Sequence, residues 1–360
     1  MSADPAPEPA VLAELDRIAF LLERAASATP RVQAFRRALQ VVAGLAPGEL
    51  VERVAAGTLQ ELPGIGERTS QVMTEVVQQG GSGYRANLEE LAGPLVTGGA
   101  GLRAALQGDL HSHTDASDGG SDLETMARTA ASIGHSYLAV TDHSPRLRVA
   151  NGLSVERLLA QLDLVEQVQA RLDADGVGLR VLSGIEVDVL DDGSLDQDRD
   201  LLARLDVVVA SVHSKLRMDS PAMTARMVAA VRDPLVDVLG HCTGRLLGGR
   251  PADSPGAGRG SKERPPSTFD ARVVFEAAAA HATAVEINAR PERLDPPMEL
   301  LGQAVEAGCH FSIDSDAHAP GQLDWLQLGC ARAEQAGVDP ARIINTWDPD
   351  DLLARTHAHA

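Results

Sequence analysis

Apolar residues recur every three to four positions in VLAELDRIAFLLERAA, VQAFRRALQVVAGLA and RTSQVMTEVVQQG, a spacing that places them on one helical face. The pattern predicts a small all-α domain over 11–95, behind a Pro/Ala-rich disordered tail at 1–10. Beyond the glycine-rich TGGAG, with 96–107 read as a linker, the period changes. Short apolar runs (DLH, YLAVTD, RVLSGIE, DVVVASVH, VDVLGH, AVEIN and FSIDSDAH) alternate with amphipathic helices from 108 to 356. Seven strand–helix units predict an α/β domain with a parallel, barrel-like sheet. Ser121 and Glu124 have the spacing of a capping box at the start of DLETMARTAASIG. The Gly- and Pro-rich segment 248–267 reads as a flexible loop.

Composition narrows the functional classes. The net charge of −19 over 360 residues excludes a protein that coats nucleic acid by bulk attraction. No apolar run reaches the roughly 20 residues of a membrane helix, and MSADPAPEPA lacks a signal peptide's basic and apolar regions. A cytoplasmic protein without membrane contact is expected. Cys242, Cys309 and Cys330 have no CxxC spacing, so they suggest neither a disulfide framework nor a thiolate zinc site. Lysine occurs only at 215 and 262.

The candidate chemistry lies at the strand ends. GDLHSHTDASDGG carries His111, His113 and Asp118, and residues two apart on a strand share a face. Later runs end in His143, Glu186, His213, His241, Asp316 and His318. The C-terminal strand ends of a parallel barrel converge on one rim, so these nine groups are expected to meet. Imidazole and carboxylate without thiolate suit zinc, manganese or iron, and nine ligands imply two or three divalent ions. Such a site makes a nucleophile from water near neutral pH and offsets phosphate charge, which points to phosphoester hydrolysis. Arg245, Arg290 and Arg293 lie just beyond strand ends, where a guanidinium could pair with phosphate oxygens. Among these, Arg245 joins Glu186 and Asp316 as a candidate catalytic residue. Cys242, beside His241, is read as packing, and His135, His281 and His310 are expected away from the rim.

GDLHSHTDASDGG, YLAVTDHS, GIEVDVLDDGSLD, VVASVHS, VLGHCTGRL, VEINARPERLD and DSDAH resemble the successive motifs of the PHP (polymerase and histidinol phosphatase) superfamily. They are most similar to the C-terminal PHP domain of bacterial family X DNA polymerases. The resemblance implies a distorted seven-stranded barrel with a trinuclear site. It assigns His111, His113, Glu186 and Asp316 to one ion, with Glu186 bridging to a second held by His213 and His241. Asp118, His143 and His318 take the third.

LQELPGIGERTSQVMTEVV, residues 59–77, reads as a helix-hairpin-helix. Its Pro63-Gly64-Ile65-Gly66 turn, with Arg68 beyond, offers backbone N–H groups to a nucleic-acid phosphate. The region 11–95 resembles the small N-terminal domain of family X polymerases, but the polymerase palm is absent. No lysine occurs before 215, so a lysine Schiff-base lyase is not expected; Val72 stands at the corresponding place. Residues 1–96 hold 12 acidic groups against 8 arginines, so DNA contact should be weak and local. The expectation is a metal-dependent phosphoesterase on DNA 3′ ends, a 3′–5′ exonuclease or 3′-phosphatase, with a separate polymerase or ligase as a possible partner. The alternative substrate is a small phosphomonoester such as a histidinol-phosphate-like molecule. A non-enzymatic metal-stabilised scaffold and an amidohydrolase fit less well: the ligand positions are intact, and neither lysine is placed for carbamylation.

Overall fold

The computed structural model describes residues 7–248 and 263–356. The first six residues of the predicted tail, most of the expected loop at 248–267, and the last four residues lie outside the described residues. Two compact units divide the described chain after Leu95.

The first unit is all-helical, as its 3.6-residue pattern requires. It contains α1 (Glu8–Arg24), α2 (Thr29–Ala43), α3 (Glu49–Ala56), α4 (Glu67–Gln79) and α5 (Gly83–Leu91). Residues 8–10, expected in the tail, are helical instead, because Pro9 falls in the first turn, where a missing N–H costs nothing. Leu15, Ile18, Leu22, Phe35, Leu50, Val72 and Met73 form its core. Between α3 and α4 a short turn ends with the Ile65 N–H on the Leu62 carbonyl (3.1 Å). Gly64 has φ +93°, and a Cβ there would come within 2.4 Å of Arg37 Cδ. The hairpin therefore needs glycine at this point.

The second unit holds the seven strands in sequence order, all parallel: β1 (Gly108–Asp109), β2 (Tyr137–Val140), β3 (Arg180–Asp188), β4 (Val207–Ser211), β5 (Val238–Leu239), β6 (Ala284–Asn288) and β7 (Phe311–Asp314). A bridge between Ser112 and Ala317, with the His113 N–H on the Ala317 carbonyl (2.8 Å), joins the extensions of β1 and β7 and nearly closes the barrel. The expected strand–helix barrel is present, but most strands are shorter than their apolar runs. After the last ladder bonds the chain leaves the sheet, and these departures carry the candidate ligands.

Two local expectations need correction. Residues 96–107 are not a plain linker: α6 (Ala100–Ala105) packs on the helix Leu326–Gln335, and Gly99 lies so close that a Cβ would meet Ala331 N at 2.4 Å. The helix α7 (Leu123–Ser132) is capped by Asp122, not by a Ser121–Glu124 box. Asp122 accepts from the Thr125 N–H and hydroxyl (both 2.8 Å), while Glu124 pairs with Arg128 and Arg171.

Candidate metal centre

All nine predicted ligands come together around Glu186. This residue lies inside β3, the longest strand, and is almost fully buried. One carboxylate oxygen, Oε1, is 2.8 Å from His241 Nε2 and 3.2 Å from His213 Nε2. The other, Oε2, is 2.8 Å from His143 Nδ1, 3.4 Å from His111 Nε2 and 3.6 Å from His113 Nε2. Asp316 Oδ1 is 3.5 Å from His113 Nε2, and Asp118 Oδ1 is within 3.5 Å of His143 and 3.3 Å of His318.

Three groups have ligand atoms mutually within 4.8 Å: His113, Asp118, His143 and His318; His111, His113 and Glu186; and His143, Glu186 and His213. The grouping differs from the implied partition because His113 and His143 each belong to two sets. His241 and Asp316 belong to none, and the oxygens of Asp316 already meet His113, Arg290, Arg293 and Asn288. Its backbone has φ +51°, a conformation that a short polar side chain tolerates.

The donor set fits cations. Both Glu186 oxygens, His111 Nε2, both nitrogens of His113, His143 Nδ1, His213 Nε2 and His241 Nδ1 are buried without a hydrogen-bond partner. Their short mutual contacts lack hydrogen-bond angles. So many convergent orphan donors and acceptors would be very costly unless ions or water satisfied them. Burial opposes ionisation of Glu186, but His213, His111 and His143 hold its carboxyl well below the ordinary range. His213 is disfavoured as a cation by burial, yet Glu186 and Asp188 raise it to about 9. The pocket therefore accumulates negative charge that a divalent ion can replace protons to balance.

Two residues that sequence reasoning passed over orient these ligands. Glu286 Oε1 is 2.6 Å from His111 Nδ1, and its Oε2 accepts from the His241 N–H and, at 3.2 Å, from Asn288. Asp188 Oδ1 is 3.0 Å from His213 Nδ1 and accepts the His213 N–H at 3.2 Å. A carboxylate on one imidazole nitrogen directs the other toward a metal. The available signal was the period of two: Glu286 and Asn288 share a face of β6, and Asp188 shares that of Glu186.

The arginines separate. Arg245, the catalytic candidate, is not aimed at the cluster: its guanidinium donates to the Arg293 carbonyl (2.8 Å) and to that of Leu294. Arg290 and Arg293 instead line a cavity of about 340 Å³ with Asp118, His143, His213, Asp316 and His318. Arg293 Nε donates to Asp316 Oδ2 (2.9 Å), while its Nη1 is buried without a partner. Cys242 is buried with its Sγ 3.7 Å from Asp295, as the packing reading expects. His135 lies beside Arg103 and His310 against Trp347, away from the cluster.

In the first unit, Gly66 caps α4 with its N–H on Thr69 Oγ1 (3.0 Å). Pro63 to Gly66 form the expected turn, with Ile65 buried, and the Arg68 guanidinium lies 5.4 Å from the Tyr84 ring centre. Among the described residues no helix is long and apolar enough to cross a membrane.

Barrel, strand-end histidines and shared carboxylate together define a metal-dependent hydrolase. A PHP domain model matches residues 109–248, and a helix-hairpin-helix domain model matches residues 6–82. A probable phosphatase of Acetivibrio thermocellus is 30% identical over 248 residues, which cover 66% of this chain and 90% of that one. The "DNA polymerase/3'-5' exonuclease PolX" of Bacillus subtilis is 35% identical over 249 residues, 69% of this chain. The match spans only 40% of that protein's length. A solved histidinol phosphate phosphatase of Lactococcus lactis, complexed with zinc, L-histidinol and phosphate, covers 65% of the chain at 17% identity and TM-score 0.43, aligning over 94% of its own length. The chain belongs to the PHP phosphoesterase family.

Proposed function

We propose that this chain hydrolyses phosphate esters at DNA 3′ ends, as a 3′–5′ exonuclease or 3′-phosphatase, using His111, His113, Asp118, His143, Glu186, His213, His241, Asp316 and His318 to hold two or three divalent ions. The observation that carries the DNA reading is a helix-hairpin-helix unit in the same chain as the phosphoesterase unit. When bound, the ions supply a nucleophile from water near neutral pH and neutralise phosphate charge. Glu186 shares its two oxygens between groups of histidines and keeps them in register. Glu286 and Asp188 fix the ring orientation of His111 and His213. Arg293 offers its free Nη1 to a phosphate oxygen, with Asp316 holding the rest of the guanidinium in place. The 59–77 hairpin adds a weak, local backbone contact to the strand, and a separate polymerase or ligase would take up the processed end.

The second reading keeps the chemistry and changes the substrate to a small phosphomonoester. It is favoured by the small cavity and by relatives named probable phosphatases, whose lengths the chain covers to about nine-tenths. Manganese-dependent turnover of a single-stranded oligonucleotide, with and without a 3′-phosphate, distinguishes the two when compared with small phosphomonoesters. Shortening or dephosphorylation of the oligonucleotide is expected. Activity confined to small esters would remove the DNA reading.

A further inference from the structure

One loop beside the cavity carries side chains that the metal centre does not use. It runs over residues 144–152, directly after His143, and its ends are bonded together. The Leu153 N–H donates to the His143 carbonyl (2.7 Å), and the Gly152 N–H to the Leu147 carbonyl (3.2 Å). Gly152 is required, because a Cβ there would fall 1.8 Å from the Ser144 carbonyl oxygen. The Arg146 N–H and the Ser144 hydroxyl both donate to Asp196, at 2.6 and 3.1 Å. Arg157 ties down the Asn151 and Gly152 carbonyls at 2.7 and 3.1 Å. The loop is thus held in one shape before any ligand arrives.

Its side chains alternate in role. Leu147, Val149 and Ala150 line the cavity that holds His143, His318 and Arg293, while Arg146 and Arg148 are exposed. Val149 is 94% exposed, the most of any large apolar side chain among the described residues. The Arg148 guanidinium has no ion-pair or hydrogen-bond partner among the described residues. Single exposed valines and arginines are ordinary. Here an uncovered apolar side chain of the cavity wall and an unpaired cation are consecutive residues, on a chain of net charge −19.

The cavity, about 340 Å³, is at the small end of ligand pockets and has room for about one nucleotide. Leu147, Val149 and Ala150 form one wall of it, so a longer substrate leaving on that side crosses this loop. We infer that the 144–152 loop is a strand-guiding surface for single-stranded nucleic acid, with Val149 against a sugar or base face and Arg148 on a backbone phosphate next to the reacting one. The inference rests on the nucleic-acid reading above. A small phosphomonoester would end inside the cavity and leave Arg148 unmet, which is why the loop favours a polymer.

The test compares kcat/KM on a single-stranded dodecanucleotide and on p-nitrophenyl phosphate, over a range of salt, for the full chain, Arg148→Ala and Val149→Ser. Thermal unfolding checks that the variants fold. Arg148→Ala is expected to raise KM for the oligonucleotide and to flatten the log–log salt dependence by about 0.7, the value of one lost phosphate contact on a single strand. The ratio of oligonucleotide to small-ester kcat/KM should fall for both variants. If the wild type degrades the oligonucleotide and the variants match it in ratio and salt slope, the strand-guiding role is overturned while the DNA reading stands. If the wild type hydrolyses only the small ester, the DNA reading fails and takes this inference with it.

Discussion

At the scale of single residues, Glu186 is reached by five imidazole rings because β3 runs past its neighbours and delivers a carboxylate into the barrel mouth. The other eight candidate ligands lie beyond or beside strand ends, which is why they were legible in the sequence: most close an apolar run with a metal-capable group, and Asp118 follows in the loop after β1. Glu286 and Asp188 were not, since an acid within a strand reads as a solvent-facing position until its partner is known. Glu286→Gln should lower divalent-metal affinity by about 10- to 100-fold, because Gln cannot supply the carboxylate that orients His111. Isothermal titration with manganese checks this, and wild-type affinity would contradict it. Arg245 shows the opposite error, in which a position past a strand end suggested a role that two backbone carbonyls already occupy. Arg293→Ala, by contrast, should reduce kcat by roughly 10²-fold or more, on the scale of losing a donor to a reacting oxyanion. Steady-state kinetics with Arg245→Ala as comparison would show whether the loss is specific to Arg293.

Asp237, buried just before β5 and four residues ahead of His241, predicts a pH dependence of stability. Burial pushes its carboxyl up to about 8, against the pull of the Val208 N–H bond (2.8 Å) and of Arg355. Between about pH 4 and 8 the folded chain keeps this proton while the unfolded chain releases it, so the contribution to stability falls as pH rises through that window. Asp237→Asn should therefore raise the melting temperature at pH 8 and lose that advantage near pH 4. Calorimetry of both proteins at the two pH values tests it, and a constant difference would count against the buried-acid account.

At the scale of elements, the helical unit could be read from its hydrophobic period and the seven strands from short continuous apolar runs, because the helices bury one face and the parallel strands both. Strand ends could not, because the last apolar residues of a run continue inward after the ladder bonds stop. The α7 cap was misplaced by one residue: Ser121 and Asp122 are both good caps, and only the backbone decides between them. Asp122→Ala should cost about 1 kcal/mol, while Ser121→Ala should cost less as a cap, measured by denaturant unfolding. The α6 helix was hidden within a glycine-rich segment whose Gly98 and Gly99 have φ of +95° and +73°. Their left-handed turns do the work expected of a loop, and only six residues of helix follow.

At the scale of the whole molecule, the strongly acidic composition is compatible with the proposed polyanionic substrate because the proposed contacts are local. The cavity sets Arg290 and Arg293 beside the histidines and carboxylates of the candidate centre, where the proposed phosphate would sit. The family and its barrel were legible because the motifs occur in order along 108–356. The substrate was not, since DNA ends and small phosphomonoesters present the same reacting group. The proposed multinuclear centre joins all nine residues through the shared Glu186 carboxylate. It is tested most directly by counting metal ions per chain in wild type and Glu186→Ala by mass spectrometry, alongside hydrolysis of bis(p-nitrophenyl) phosphate. The account predicts two or three ions in the wild type, and loss of more than one ion together with all turnover in the variant. Full metal content with undiminished hydrolysis in Glu186→Ala would contradict it.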